Sequence, residues 1–177
     1  MVRLKEKYEK AIPTLMKELG VKNKMALPNL EKVIITVGTG SYKDKKKIEI
    51  VANRLAKICG QKPTNTVAKK SIATFKLRAG DASGLKVTLR GARMYDFLDR
   101  LINVAIPRER DFRGLKNTAI DAMGNISLGF KEHTIFPETA DEDLKDVFSF
   151  GVTVATTAKN KKEALVLFTA LDFPFKK

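Results

Sequence analysis

Between Gln61 and Arg90 the chain carries Lys62, Lys69, Lys70, Lys76, Arg78, Lys86 and Arg90 against a single acid, Asp81. Cations at this density on one stretch neutralise successive phosphates, so the chemistry they suit is the binding of a polyanion. From about residue 68 to 84 the periodicity is mixed and the stretch ends in Gly80 and Gly84, which predicts a long excursion from a sheet. Ile72 and Phe75 could press there on sugar or base faces. The plainer alternative is a mobile charged loop with Phe75 folded back on the core. Lys86, Thr88 and Arg90 alternate along one strand face, two cations flanking a hydroxyl that can meet a 2′-OH or a base edge. An ordinary solvated sheet face reads the same way. Arg108, Arg110 and Arg113 follow Pro107 but are interleaved with Glu109 and Asp111. That mixture suits a protein contact or internal ion pairs better than a phosphate clamp.

Catalysis has no comparable footing. Gly38-Thr39-Gly40 lies between a predicted strand and a predicted helix, as a dinucleotide loop would, but the third glycine is replaced by Lys43 and no Gly-Lys-Ser/Thr motif occurs. A strand-ending turn is the better reading. The one histidine, His133, reads as a solvated imidazole at a strand edge, and the one cysteine, Cys59, excludes an intrachain disulfide and a thiolate metal cluster. Asp141, Glu142, Asp143 and Asp146 do not have the spacing of a calcium loop. These residues predict no enzyme, no catalytic group, no metal, no cofactor and no small-molecule substrate.

The elements that must position the cations follow from hydrophobic spacing. Leu4, Tyr8, Ile12, Leu15 and Leu19 recur at helical intervals up to Gly20, with Pro13 a point where the helix could kink or split. Residues 32–37 form a strand with Val33, Ile35 and Val37 on one face, and Ile34 suggests some cover on the other. A helix over about 44–58 follows, with Asp44 and Gly60 as its caps and Ile48, Val51, Leu55 and Ile58 as its buried stripe. Leu85, Val87 and Leu89 mark a strand over 85–90. Met94, Phe97, Leu98, Leu101 and Ile102 mark a helix ended by Pro107. Strands around 126–131 and 147–156 come next, then a helix over about 161–171 opened by Asn160 and Glu163 as a capping box. This order predicts an α+β fold, a mostly antiparallel sheet with helices packed on one face. With no linker or repeat in 177 residues, it predicts one domain over 1–177, from which a long basic loop projects at about 64–84.

Charge sharpens the class of partner. The net charge of +14 falls wholly in residues 1–90, with 21 basic and 7 acidic side chains, whereas residues 91–177 hold 13 of each. A segregated excess makes a directional field, which favours nucleic acid over a merely solubilising surface. No apolar run approaches the roughly 20 residues of a membrane span, and residues 1–7 are not a signal peptide, so the expectation is a cytoplasmic protein without a membrane partner.

Several strings resemble one family closely: GQKP (60–63), AKKSIATFKLR (68–78), KVTLRGARM (86–94), PRERDFRGL (107–115), GNISLGFKE (124–132), IFPE (135–138) and DFPFKK (172–177). They are similar, in order and over nearly the whole chain, to the ribosomal large-subunit family that binds 5S rRNA in the central protuberance. The resemblance implies a ribosomal location and a structural role among large-subunit rRNA and neighbouring ribosomal proteins. It implies 5S rRNA contacts at Thr36, Gln61 and Thr88, flanked by Lys62, Lys86 and Arg90. It implies that the loop with Lys69, Lys70, Ser71, Phe75, Lys76 and Arg78 approaches peptidyl-site tRNA. The region of Arg108, Arg110 and Arg113, with the later acidic turn, would face a small-subunit head protein across an intersubunit bridge. Thr36 stands where the family usually has Asn, Ala122-Met123 where it has Gly-Arg, Ile126 where it has Tyr, and Phe150-Gly151-Val152 where it has Gly-Met-Asp. The alternative is a non-ribosomal RNA-binding regulator using the same basic half.

Overall fold

A computed structural model describes residues 3–40, 42, 44–75, 77–110, 112–139 and 147–176. Helix α1 (Arg3–Leu19) precedes strand β1 (Leu30–Gly38) and helix α2 (Lys45–Cys59). Strands β2 (Thr64–Val67) and β3 (Ala82–Leu89) follow, then helix α3 (Ala92–Arg100), strands β4 (Ile126–Phe130) and β5 (Phe150–Thr156), and helix α4 (Lys161–Ala170). The five strands form one mostly antiparallel sheet in the order β2-β3-β1-β5-β4. The fold is α+β. On β1 and β3 the inward positions are those the alternation predicted, with Val33, Ile35, Val37, Leu85, Val87 and Leu89 all buried; Phe150, Val152 and Val154 on β5 are buried as well.

Contacts divide the chain into two compact units, and the division falls inside β1, β3, β4 and β5, so four strands contribute to both. In the first unit, residues 1–33, 89–128 and 153–177, α1 packs on α3 and α4. Leu4, Leu15, Phe97, Leu98, Leu167 and Phe168 are among its buried side chains, and Phe173 meets Phe168 edge-on at 4.9 Å. In the second, residues 34–88 and 129–152, α2 buries Val51, Leu55 and Ile58. Phe130 and Phe136 lie 5.0 and 5.8 Å from Phe150 in the same unit. Gly84 of β3 is required by the close approach of β1, because a Cβ there would stand 2.7 Å from the Val37 carbonyl oxygen.

Several expectations change in detail. α1 runs unbroken through Pro13, whose ring sits on the exposed side while Leu4, Ile12 and Leu15 hold the opposite side in the core. Pro107 does not end its helix: after α3 the chain widens into a π turn, Leu101–Ala105, and closes with an α turn, Ile106–Arg108, that contains the proline. A proline is tolerated at the start of a new α turn, where no amide donor is needed. Asp44 occupies the cap position of α2 without a side-chain capping bond, whereas Gly60 closes that helix in the left-handed region at φ 66°. The capping box does not form: Glu163 reaches past the cap residue to accept from the Lys159 amide at 3.0 Å, and the Asn160 side chain makes no capping bond.

His133 overturns its reading as a solvated strand-edge imidazole. It lies in a 3-10 turn, His133–Ile135, and is 1% exposed. Its ring stacks on Phe148 at 4.2 Å, and Nδ1 accepts a 3.4 Å bond from the Phe148 amide. An imidazole is flat and stacks face to face like other aromatic rings, so it serves here as a core residue. The acidic turn 141–146 and Asp111 lie outside the described residues.

Candidate nucleic-acid interface

Strand alternation sends the positions between the buried ones to the open face of the sheet. In the second unit these are Ile34, Thr36 and Gly38 on β1, Lys86 and Thr88 on β3, Gly151 on β5 and Gly129 on β4, with Lys131 just beyond its end. None is a carboxylate. Thr36 and Lys86 are exposed and Thr88 is half-buried. Across β1, β5 and β4 the three glycines floor a shallow depression of about 380 Å3, with Thr36, Lys131 and Ser149 on its walls. A Cβ added at Gly38 or Gly129 would meet nothing within 4 Å, so the hollow exists because those side chains are missing. Hydroxyls and ammonium groups around a bare backbone floor can receive ribose and phosphate. Lys131 and Ser149 escaped the sequence reading, although the outward phase of β4 pointed to the first of them.

The remaining sheet candidates are placed less simply. Gln61 is half-buried and its amide nitrogen donates to the Thr88 carbonyl at 3.4 Å, which leaves its oxygen as the acceptor on offer. Lys62 does not join Lys86 and Thr88 on the open face; it lines a groove beside α2. Arg90 follows β3 in the first unit, where its guanidinium lies 3.3 Å from Glu31, which also holds Lys32 at 3.3 Å. Lys32, first through its hydrogen bond and charge, and then Arg90 hold the Glu31 carboxyl below its usual range. Arg90 is therefore half-committed to an exposed ion pair of small energy, which a phosphate could displace.

The basic excursion over 64–84 begins in regular strand structure. Thr64–Val67 is strand β2, paired antiparallel to β3 from Thr64 opposite Lys86 to Val67 opposite Ala82. Beyond it the turn is self-braced. Ala68 donates to Asp81 O at 2.9 Å, Gly80 to Ala68 O at 3.0 Å, and Ile72 and Leu77 exchange main-chain bonds of 2.9 and 3.2 Å. Asp81 accepts from the Arg78 amide at 2.8 Å and the Ser71 hydroxyl from the Ala79 amide at 3.0 Å. The one acid of the segment and one of its candidate contact residues thus shape the turn. Lys69, Lys70 and Arg78 are exposed; Lys76 lies outside the described residues. Phe75 is 75% exposed, not folded back on the core.

Arg108, Arg110 and Arg113 are all exposed, clustered by sequence on the segment after the π turn. Leu115, just beyond them, is tied to the C-terminal segment by Leu115 N to Pro174 O at 2.7 Å and Lys176 N to Leu115 O at 2.9 Å. Among the described residues no cluster of three or more His, Cys, Asp or Glu side chains could hold a metal, and no helix is long and apolar enough to cross a membrane.

Two family profiles cover nearly the whole chain. The profile described as ribosomal protein L5 matches residues 23–78, and a second, described as the C-terminus of that ribosomal family, matches residues 82–175. The large ribosomal subunit protein uL5 of Kosmotoga olearia is 51% identical over 178 residues, 99% of this chain and 97% of that protein. Its counterpart in Desulforamulus reducens is 49% identical over 179 residues, 100% of this chain and 99% of that protein. That of Mycoplasma mycoides is 48% identical over 177 residues, 99% and 98%. A basic α+β chain with these relatives is a structural component of the large ribosomal subunit and not an enzyme. It belongs to the ribosomal protein L5 family.

Proposed function

We propose that this chain binds 5S rRNA and attaches it to the central protuberance through the open face of its sheet. The observation that carries this reading is the face itself: Thr36 and Lys131 border a glycine floor, and Lys86 and Thr88 occupy outward positions of β3, with no acid among them. Such a surface suits a sugar–phosphate backbone, since cations meet phosphate and hydroxyls meet the 2′-OH. Gln61 and Arg90 border it in sequence and extend the contact, while Lys62 turns to the groove beside α2. The braced turn with Lys69, Lys70, Ser71, Phe75, Lys76 and Arg78 reaches peptidyl-site tRNA. Arg108, Arg110 and Arg113 meet a small-subunit head protein. No observation favours the reading as a regulator acting away from the ribosome.

The test is a titration of isolated 5S rRNA across a salt series. Affinity should fall steeply, on a log–log slope corresponding to several neutralised phosphates, by about 10²-fold or more between 50 and 200 mM salt. A flat salt response would remove the electrostatic basis of the proposal.

A further inference from the structure

We propose that the groove between α2 and β2 docks an extended acidic segment of another protein, which joins the sheet as one more strand beside β2. This goes beyond the RNA reading and does not depend on it. Among the described residues β2 ends the strand order, so one side of its main chain faces no strand. Exposed edges are normally guarded by charge, proline or a bulge. Thr64, Asn65, Thr66 and Val67 carry no charge, Val67 is 58% exposed, and the one irregularity of register falls at the strand's end, between Thr66 and Val67. An edge of this kind is a template for an added strand, with main-chain hydrogen bonds giving affinity and neighbouring pockets giving specificity.

The pocket is present. Ile48, Ala52 and Ala56 of α2, with Pro63 ahead of β2, make the aliphatic wall of a groove of about 580 Å3. The carboxamides of Asn53 and Asn65 line it from either side. Its surroundings are positive: Lys62 lines the groove against one acid, Glu49, and Lys45, Lys46 and Lys47 occupy the first turn of α2. Three ammonium groups at a helix N-terminus oppose the helix dipole, so that placement costs stability and is offset by a ligand of negative charge. RNA is anionic too, but the site is poor for it. The wall holds no aromatic ring for base stacking and the groove lining no arginine for bidentate phosphate binding, while an amide edge is matched by a peptide main chain.

The experiment uses large subunits assembled with the full chain, a photo-crosslinking amino acid replacing Asn53 or Asn65. The expected result is an adduct whose attached peptide, sequenced by mass spectrometry, is a carboxylate-rich stretch of another protein. Ala52→Glu should lower its yield about tenfold by filling the groove and repelling those carboxylates. Should that variant fail to fold, the double reversal Lys46→Glu, Lys47→Glu serves instead; it lies on exposed positions where acids suit the helix dipole. An adduct to RNA, an adduct indifferent to both variants, or no adduct at either position overturns the proposal.

Discussion

Thr88 carries much of the chemistry assigned to the open face, and its neighbourhood is arranged to leave the hydroxyl available. Its carbonyl, not its Oγ1, receives the Gln61 amide at 3.4 Å. Thr88→Val keeps the β-branched shape a strand prefers and removes only the hydroxyl, so the fold should be unchanged and 5S rRNA binding about fivefold weaker, the worth of one hydrogen bond. Equal affinities for the two proteins in a filter-binding titration would return Thr88 to an ordinary solvated face. Asp121 belongs to the same scale but serves stability. Burial pushes its carboxyl up, yet the Asn125 amide and side chain, at 2.7 and 3.1 Å, with the amides of Met123 and Gly124, bring it below its ordinary 3.8. A depressed carboxyl stabilises the fold above its unfolded pKa, and that contribution is lost as pH falls through the folded value. The carboxyl is exposed and its interactions are screened by water, so Asp121→Ala should destabilise the protein only slightly at neutral pH. Urea melts of the two proteins should converge as the pH drops below that ordinary value.

At the scale of elements, the hairpin β2–β3 and its braced tip hold the residues of the two proposed contacts on adjacent sequence. Lys69, Lys70 and Arg78 project from the tip and Lys86 and Thr88 from the strand. Neutralising Lys69, Lys70, Lys76 and Arg78 together should leave 5S rRNA affinity within about threefold of the parent, while tRNA placement in the peptidyl site, read by footprinting, weakens. Loss of 5S binding in that variant would mean that the tip, not the sheet, holds the rRNA. The strands and helices were legible because period-2 and period-3.6 patterns report directly on which side is buried, as with Leu85, Val87 and Leu89. The brace was not legible, since nothing in the pattern around Ser71 and Asp81 says that their oxygens will accept from Ala79 and Arg78. His133 was misread for a related reason: one polar residue in a short segment has no periodicity, and only Phe148, fifteen positions on, supplies its place in the core. The candidate site was half legible. Of the contact positions implied by the resemblance, Thr36, Lys86 and Thr88 fall on the open face, whereas Lys62 turns to the α2 groove and Arg90 to Glu31.

For the whole molecule, the division into two units does not follow the chain, since β1, β3, β4 and β5 each run from one unit into the other. Because the main chain of four strands runs without a break from one unit into the other, the two should open together. Hydrogen exchange in rising urea checks this. Amides of Leu55 and Ile58 in the second unit and of Phe97 and Leu98 in the first should converge on one opening free energy. Two separate plateaus would show that the units are independent. The net charge of +14 also acts at this scale, because a positive field speeds capture by a polyanion.

Cys59, on the last turn of α2, is 3% exposed and is the only thiol in the chain. The protein thus has a built-in stopwatch. An alkylating reagent reaches this sulfur only when α2 lifts, so each modified molecule marks one excursion from the native state, with no engineered label and no second sulfhydryl to confuse the count. Because α2 also forms one wall of the groove beside β2, the same reaction run with and without large subunits times how firmly assembly holds that wall shut.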